Sequence, residues 1–389
     1  MTIYSQRLGA EPLIALGSRL LQARRFADAE ATYRVALQLE PSAAAAHANL
    51  GTALKRLDRL DEAITCYRTA TRLLRSVPVD PAAVIEPAQA ETFQWASPLK
   101  LAHDAEQIAY LIEHRRRPAA DRAMIATLDE VRRAIDDGVN PSHSRALSAA
   151  QAERLAHFYN RLLHHPAIDI EGSCLNPALD RADIEARYAA SAPSIVVVDD
   201  LLSLPALEAI HRFCLEATIW FDCKEAGGYL GAYLHDGFDA PVLVRFAKEL
   251  RSALPALLGP HPLAQLWAFK YQPGGTGTRP HADDATVNIN LWLTPDDART
   301  PGTSGGLRLY PVPVPADWGF DDYNRGPERL MALARAAARP PIDVPYRRNR
   351  AVIFDSRLIH ETLPYDFRPS YADRRLNLTL LYGERPRSG

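Results

Sequence analysis

The stretch "YQPGGTGTRPHADD", Tyr271 to Asp284, sets a histidine and an aspartate two positions apart, directly after a glycine-rich loop. The run before it, "AQLWAFKYQ", is strand-like, and the run after it, "ATVNINLWLT", is β-branched and asparagine-rich, so strands flank the loop. Side chains at i and i+2 of an extended chain point to the same side. His281 and Asp283 therefore share a face, which is what two ligands of one metal ion need. An HxD triplet alone also arises from turn hydrogen bonds, so a third ligand has to be found.

His360 supplies it. It sits in "RAVIFDSRLIHE", just past another β-branched run. Two neutral imidazoles and one carboxylate on a triangular face suit Fe(II) and leave adjacent coordination positions open. A structural zinc site would close its fourth position with a further Cys or His, and these segments offer none. The last strand-like run, "ADRRLNLTLLYG", places Arg375, Asn377, Thr379 and Leu381 on one face and Leu376, Leu378 and Leu380 on the other. A polar face inside a barrel wants a ligand, and the Arg375 guanidinium is a planar fork matched to a carboxylate. Arg374 points the opposite way unless a bulge exchanges the two.

Around these residues the runs "SIVVVDDLL", "GGLRLYPV" and "RAVIFDS" recur between Gly/Pro-rich loops, behind an amphipathic helix "LPALEAIHRFCLEATIWF" opened by a proline. That pattern predicts an antiparallel sandwich or barrel over residues 191–389. The region from about 194 to 389 resembles the Fe(II)/2-oxoglutarate-dependent oxygenases, most of all their prolyl-hydroxylase-like branch. The order "YQPGGTGTRPHAD", "VNINLWL", "GGLRLYP", "RAVIFDSRLIHE", then Arg375, carries the resemblance.

The resemblance implies a double-stranded β-helix (jelly-roll) barrel in which His281, Asp283 and His360 are the catalytic iron ligands. It implies that Arg375 meets the C5 carboxylate of 2-oxoglutarate, with Tyr271 donating a hydrogen bond beside it and Thr379 and Asn290 nearby. The cosubstrates implied are 2-oxoglutarate and O2, and the reaction is hydroxylation of an unactivated C–H bond with release of succinate and CO2. An aspartate at 283, where a halogenase leaves the position free for halide, argues against halogenation. The chain departs from the family pattern in the longer gap "ETLPYDFRPSYAD" before Arg375 and in a large insertion over 311–349. That insertion brings Trp318, Phe320 and Tyr323 together with Asp317, Asp321 and Asp322 between two strands, as either a binding loop near the barrel mouth, whose aromatic wall and negative rim suit a cationic or amide-bearing group, or an outer packing element.

The N-terminal part is of another kind. Leu16, Gly17, Leu20, Ala29, Tyr33 and Ala36 recur as Leu50, Gly51, Leu54, Ala63, Tyr67 and Ala70, each pair 34 positions apart, the tetratricopeptide period. Small residues let paired helices approach, and the tyrosines fill the gap to the next helix. Two units leave an apolar face to be covered. Helical periodicity returns after the breaker "SVPVDPAAVIEP" in "LKLAHDAEQIAYLIEHRR", "ADRAMIATLDEVRRAIDDG" and "SAAQAERLAHFYNRLL". The expected organisation is repeats at 1–77, a helical connector that caps them at 78–190, and the barrel at 191–389.

Repeat helices usually grip peptides, which favours a peptide or protein substrate. A small-molecule hydroxylase whose helices pair two subunits in a homodimer is a second reading. A non-catalytic cupin-like binding scaffold, which needs no cosubstrate arginine, is a third. With 45 basic and 47 acidic side chains and a net charge of −2, the balance gives no electrostatic reason to expect nucleic acid or an anionic membrane surface. No leader pattern or bilayer-length apolar run is present, so a cytoplasmic location is expected. Cys66, Cys174, Cys214 and Cys223 show no metal or disulfide spacing and read as reduced core thiols, and His164 and His165 read as surface residues.

Overall fold

The computed structural model describes residues 9–77, 93–324 and 326–385. Of the breaker "SVPVDPAAVIEP", the part from residue 78 onward lies outside them. The chain begins with helices α1 (Ala10–Gln22), α2 (Phe26–Leu39), α3 (Ala44–Arg56) and α4 (Leu60–Arg75), packed α1 on α2 and α3 on α4. The 34-residue echo has a steric cause. A Cβ at Gly17 would lie 2.6 Å from the Tyr33 ring, and one at Gly51 2.6 Å from the Tyr67 ring. Only glycine admits those rings. The echo extends to polar pairs, since Ser18 meets the Tyr33 hydroxyl at 3.2 Å and Thr52 meets that of Tyr67 at 3.2 Å.

The connector contributes α5 (Pro98–Glu113), α6 (Arg122–Ile135), α7 (Ala149–Leu155) and α8 (Arg181–Ala190), with a ribbon of β1 (Trp95–Ala96) and β2 (Arg145–Ala146). Ser97 caps α5 by accepting from the Lys100 amide, and Pro98 opens its first turn. Leu101 and Ile108 of α5 meet Leu128, Val131 and Leu155 in a separate small core. The helix expected through "SAAQAERLAHFYNRLL" stops at Leu155. Asn160 takes φ 54, and buried Arg161 turns back to the carbonyls of Ala156 (3.0 Å) and Ser76 (2.8 Å). Of the neighbouring histidines, His164 is half-buried, while His165 is exposed as expected, with its Nε2 2.8 Å from Gly237 O and 3.2 Å from buried Asp239.

The rest of the chain builds the sheets. In order these are β3 (Ile195–Val198), α9 (Leu204–Glu216), β4 (Asp222–Lys224), β5 (Tyr229–Tyr233), α10 (Pro241–Ala253), β6 (Leu263–Tyr271), β7 (Gly274–Gly275) and β8 (Val287–Trp292). Then follow β9 (Leu307–Pro313), α11 (Phe320–Asn324), α12 (Pro327–Ala336), β10 (Ile342–Val344), β11 (Ala351–Asp355), β12 (Leu358–Thr362), β13 (Tyr365–Asp366) and β14 (Leu376–Tyr382). A seven-stranded antiparallel sheet runs β3-β11-β8-β14-β6-β5-β4, and a smaller one runs β10-β9-β12, beside a short β13-β7 pair.

Alternation along the strands divides two cores. Leu376, Leu378, Leu380, Ile289 and Leu291 bury against α9 and α10 in the larger one. Val352, Phe354, Trp292 and Tyr271 turn the other way and meet Leu307, Leu309, Leu358 and Val344 of the small sheet. Helices α3 and α4 dock on the same body. Lys55 Nζ bonds Ala264 O on β6, Arg68 pairs with Asp239 at 2.6 Å, and Arg75 with Asp236 at 2.7 Å. The cover over the second helix pair thus comes from β6 and the 234–239 segment, not from the connector alone.

Candidate metal centre

His281 lies in the loop between β7 and β8, and a two-way backbone bridge ties it to His360 on β12. The His281 amide donates to His360 O at 3.0 Å, and the His360 amide to His281 O at 2.8 Å. Asp283 is anchored by its own amide on Ser356 O (3.1 Å). The result is that one ligand atom from each of His281, Asp283 and His360 lies within 4.8 Å of the other two, and the imidazole centroids are 4.4 Å apart. The expected triad is therefore assembled in space.

The surroundings fix how these groups present themselves. Nδ1 of His281 faces Arg279 O at 2.9 Å, and Nδ1 of His360 faces Leu358 O at 3.0 Å. A carbonyl only accepts, so each Nδ1 carries a proton and holds its ring with Nε2 turned away from the backbone, the second-shell arrangement that suits an imidazole to a metal. Burial, together with the neighbouring His360 ring, holds His281 below the ordinary histidine range. Burial pushes Asp283 up, but the contact with His360, both imidazoles and the Asn288 amide outweigh it and leave the carboxyl below its ordinary range. Carboxylate and unprotonated Nε2 are the forms a metal takes. His360 Nε2 and Asp283 Oδ2 face each other at 3.4 Å, so two electron-rich atoms converge where a cation would bind.

Behind Asp283 runs a chain of amides. Asn288 Nδ2 donates to Asp283 Oδ2 at 2.5 Å, Asn290 Nδ2 to Asn288 Oδ1 at 2.9 Å, and Asn377 Nδ2 to Asn290 Oδ1 at 2.9 Å. Thr379 Oγ1 adds a 3.3 Å bond to Asn290 Oδ1. Asn290 and Thr379, singled out as cosubstrate neighbours, lie in this network, while Asn288 and Asn377 complete it. The "NIN" spacing on β8 carried the signal for Asn288, since it shares the face of Asn290.

Arg375 precedes β14 and is 0% exposed. Its Nε donates to Gly305 O at 2.9 Å, while Nη1 and Nη2 find no hydrogen-bond partner among the described residues. The guanidinium carbon stands 4.6 Å from the centre of the Tyr271 ring, 5.9 Å from Tyr365 and 6.0 Å from Tyr346. Tyr271 is thus beside Arg375, meeting it through the ring face. Tyr346 and Tyr365 had no counterpart in the sequence reading. Arg374 faces away and pairs with Glu106 of α5 at 2.5 Å. A buried guanidinium whose two terminal nitrogens have no partner and no carboxylate among the described residues is costly unless an anion completes it. A planar carboxylate fits those two amines.

A cleft of about 510 Å³ opens over His281 and Asp283. Trp267 and Phe269 of β6 line one side, and Phe320 and Asn324 of α11 another. The insertion therefore reaches the site. It is also bonded to it, because the amide of Ala282, between His281 and Asp283, donates to Tyr323 O at 2.9 Å. Among the described residues no helix is long and apolar enough to cross a membrane.

No protein-family model matches the chain, and no curated protein matches it. Solved structures do resemble parts of it. A prolyl-4-hydroxylase from Pseudomonas putida is 19% identical over 54% of this chain and all of its own, with a TM-score of 0.35. The α-ketoglutarate-dependent carbocyclase SnoK of nogalamycin biosynthesis is 15% identical over 56% of this chain and 90% of its own, with a TM-score of 0.39. HygX from Streptomyces hygroscopicus, solved with nickel and 2-oxoglutarate, is 16% identical over 53% of this chain and 88% of its own, with a TM-score of 0.36. At that distance the side chains of this protein have to carry its chemistry.

Proposed function

We propose that the protein is an Fe(II)- and 2-oxoglutarate-dependent dioxygenase. His281, Asp283 and His360 hold the iron, and Arg375 receives the distal carboxylate of 2-oxoglutarate against the Tyr271 ring. The observation that carries this reading is the pairing of an open three-ligand face with a buried arginine whose two terminal amines lack a partner among the described residues. A cupin-like scaffold that only bound a metal would have no use for that arginine. Iron bound at such a face supplies O2 activation coupled to oxidative decarboxylation of 2-oxoglutarate to succinate and CO2.

The chain's own residues do the rest. The two Nδ1–H bonds to backbone carbonyls aim both Nε2 atoms at one point, and the Asn288–Asn290–Asn377 chain keeps the Asp283 carboxylate turned toward them. The sheets that bracket Arg375 form the double-stranded β-helix of residues 191–389, the helix pairs at 1–77 are tetratricopeptide repeats, and 78–190 joins them. The reaction is hydroxylation of an unactivated C–H bond in a peptide or protein residue or in a small molecule, and the protein works in the cytoplasm. Purified protein supplied with Fe(II), 2-oxoglutarate and O2 should form succinate, and His281→Ala and Asp283→Ala should each abolish it. Succinate formation untouched by either substitution would sink the assignment.

A further inference from the structure

The cleft over the triad is walled by three separate parts of the chain, and their chemistry narrows what enters it. Building on the oxygenase reading above, we propose that the substrate is a compact ring-bearing anion, seated on the β5–β6 aromatic wall beneath α11 with its negative group toward Arg279.

The wall is continuous. Tyr229 and Phe269 have centroids 4.8 Å apart, Phe269 and Trp267 5.9 Å, and Trp267 and Tyr233 6.4 Å. All four are half-buried, leaving ring surface toward the cleft. Tyr229 also abuts Tyr271 at 4.9 Å, so the wall runs into the Arg375 pocket. Across it stands Phe320, 52% exposed, on a helix whose Tyr323 carbonyl is fixed by the Ala282 amide. Aromatic faces on two sides favour a ring placed between them.

Charge points the same way. Arg56, Lys224 and Arg279 line the cleft, and beyond the metal ligand Asp283 its one carboxylate among the described residues is Asp284. Arg56 is 3.2 Å from Glu384 and Lys224 2.6 Å from Asp222, so both are partly neutralised. Arg279 is exposed and makes no ion pair among the described residues. With a divalent cation, the Asp283 carboxylate, a dicarboxylate and Arg375 together, the charges of the centre cancel, and Arg279 is the cation of the cleft left without an ion partner among the described residues.

Size follows from who supplies the walls. Arg56 belongs to α3, so the N-terminal helices close one end of the cleft, and about 510 Å³ lies within the size of pockets that enclose a single small-molecule ligand. The helices then act as a wall of the pocket.

The test uses the full chain with Mn(II) and saturating 2-oxoglutarate, titrated calorimetrically with naphthalenesulfonate, with the neutral naphthalenemethanol and with a proline-rich decapeptide. The sulfonate should bind about tenfold more tightly than the alcohol, as expected for one charge-assisted contact. Arg279→Gln should bring that ratio near one, and Trp267→Ala should weaken both ring compounds about tenfold through lost ring contact. Equal binding of sulfonate and alcohol, a ratio that survives Arg279→Gln, tighter binding of the decapeptide, or sulfonate binding abolished by 2-oxoglutarate would each overturn the proposal. Mn(II) and 2-oxoglutarate affinities are measured separately, and the charge preference is also read without either. Their failure to bind would defeat the oxygenase reading alone.

Discussion

Replacing Arg375 with leucine removes a guanidinium that is fully buried and whose Nη1 and Nη2 have no partner among the described residues. In the ligand-free chain the loss is one bond from Nε to Gly305 O and the stacking on Tyr271, about 1 kcal/mol each. Against this stands relief of an uncompensated buried charge, whose effective burial penalty is on the order of several kcal/mol. The ligand-free variant should therefore melt no lower than the wild type. Binding of 2-oxoglutarate should suffer differently: loss of a buried charge-assisted partner costs roughly 2–5 kcal/mol, which is about 30-fold to several thousand-fold in Kd. Calorimetric titration into Mn(II)-loaded protein reads the affinity, and thermal denaturation with and without 2-oxoglutarate reads the rest. The expected signature is a ligand-induced rise in Tm that vanishes while the unliganded Tm holds. Affinity within threefold of wild type would refute the argument, and so would a larger loss in Arg374→Leu, since Arg374 pairs with Glu106 on the opposite side of the strand.

Asn288→Ala removes the 2.5 Å bond to Asp283 and should weaken metal binding about 10- to 100-fold, measured by competition with a chelator; an unchanged affinity would mean that Asp283 is oriented by other means. Gly277→Ala places a Cβ 1.8 Å from Thr362 O at a φ of +93, so it should cost at least about 1–3 kcal/mol of stability and displace the loop that carries His281; an unchanged Tm would count against that loop conformation. A fragment beginning at residue 191 should fail to unfold cooperatively, because it loses the helices that share its core; a soluble fragment with a single sharp melting transition would show that the sheets stand alone.

What the sequence disclosed about the site is what short-range geometry dictates. The i, i+2 spacing puts His281 and Asp283 on one side, and strict alternation separates Arg375 from Arg374. The distant His360 was recognisable from its place after a β run, although only the backbone bridge to His281 explains why the two rings meet. The tyrosines around Arg375 were not legible. Tyr346 follows β10 and Tyr365 opens β13, and they reach the guanidinium from loops whose path depends on how two sheets face one another. Periodicity likewise carried "SAAQAERLAHFYNRLL" past Leu155, because it does not register Asn160 at positive φ or the capture of Ala156 O by Arg161. The glycine–tyrosine echo of the N-terminal helices was visible because the contact repeats within each helix pair. The surface on which the second pair docks belongs to residues some two hundred positions away.

That docking changes what the helices mean for the site. A solenoid that merely recruited a partner would join the sheets through a linker and a modest polar contact. Here Leu54 and Tyr67 belong to the same buried cluster as Leu266 and Ala268 of β6, and Lys55 is itself buried with its ammonium on a β6 carbonyl. Strand β6 also carries Trp267 and Phe269 toward the cleft and ends at Tyr271 beneath Arg375. Alternation along that one strand thus ties three things together: helix α3 bonds its carbonyl at Ala264, the next inward residues wall the cleft, and its last residue supports the arginine. A shift of the helices against β6 would move the cleft wall and the Arg375 pocket together, so the N-terminal region sets the shape of the site mechanically while contributing none of the His281–Asp283–His360 triad.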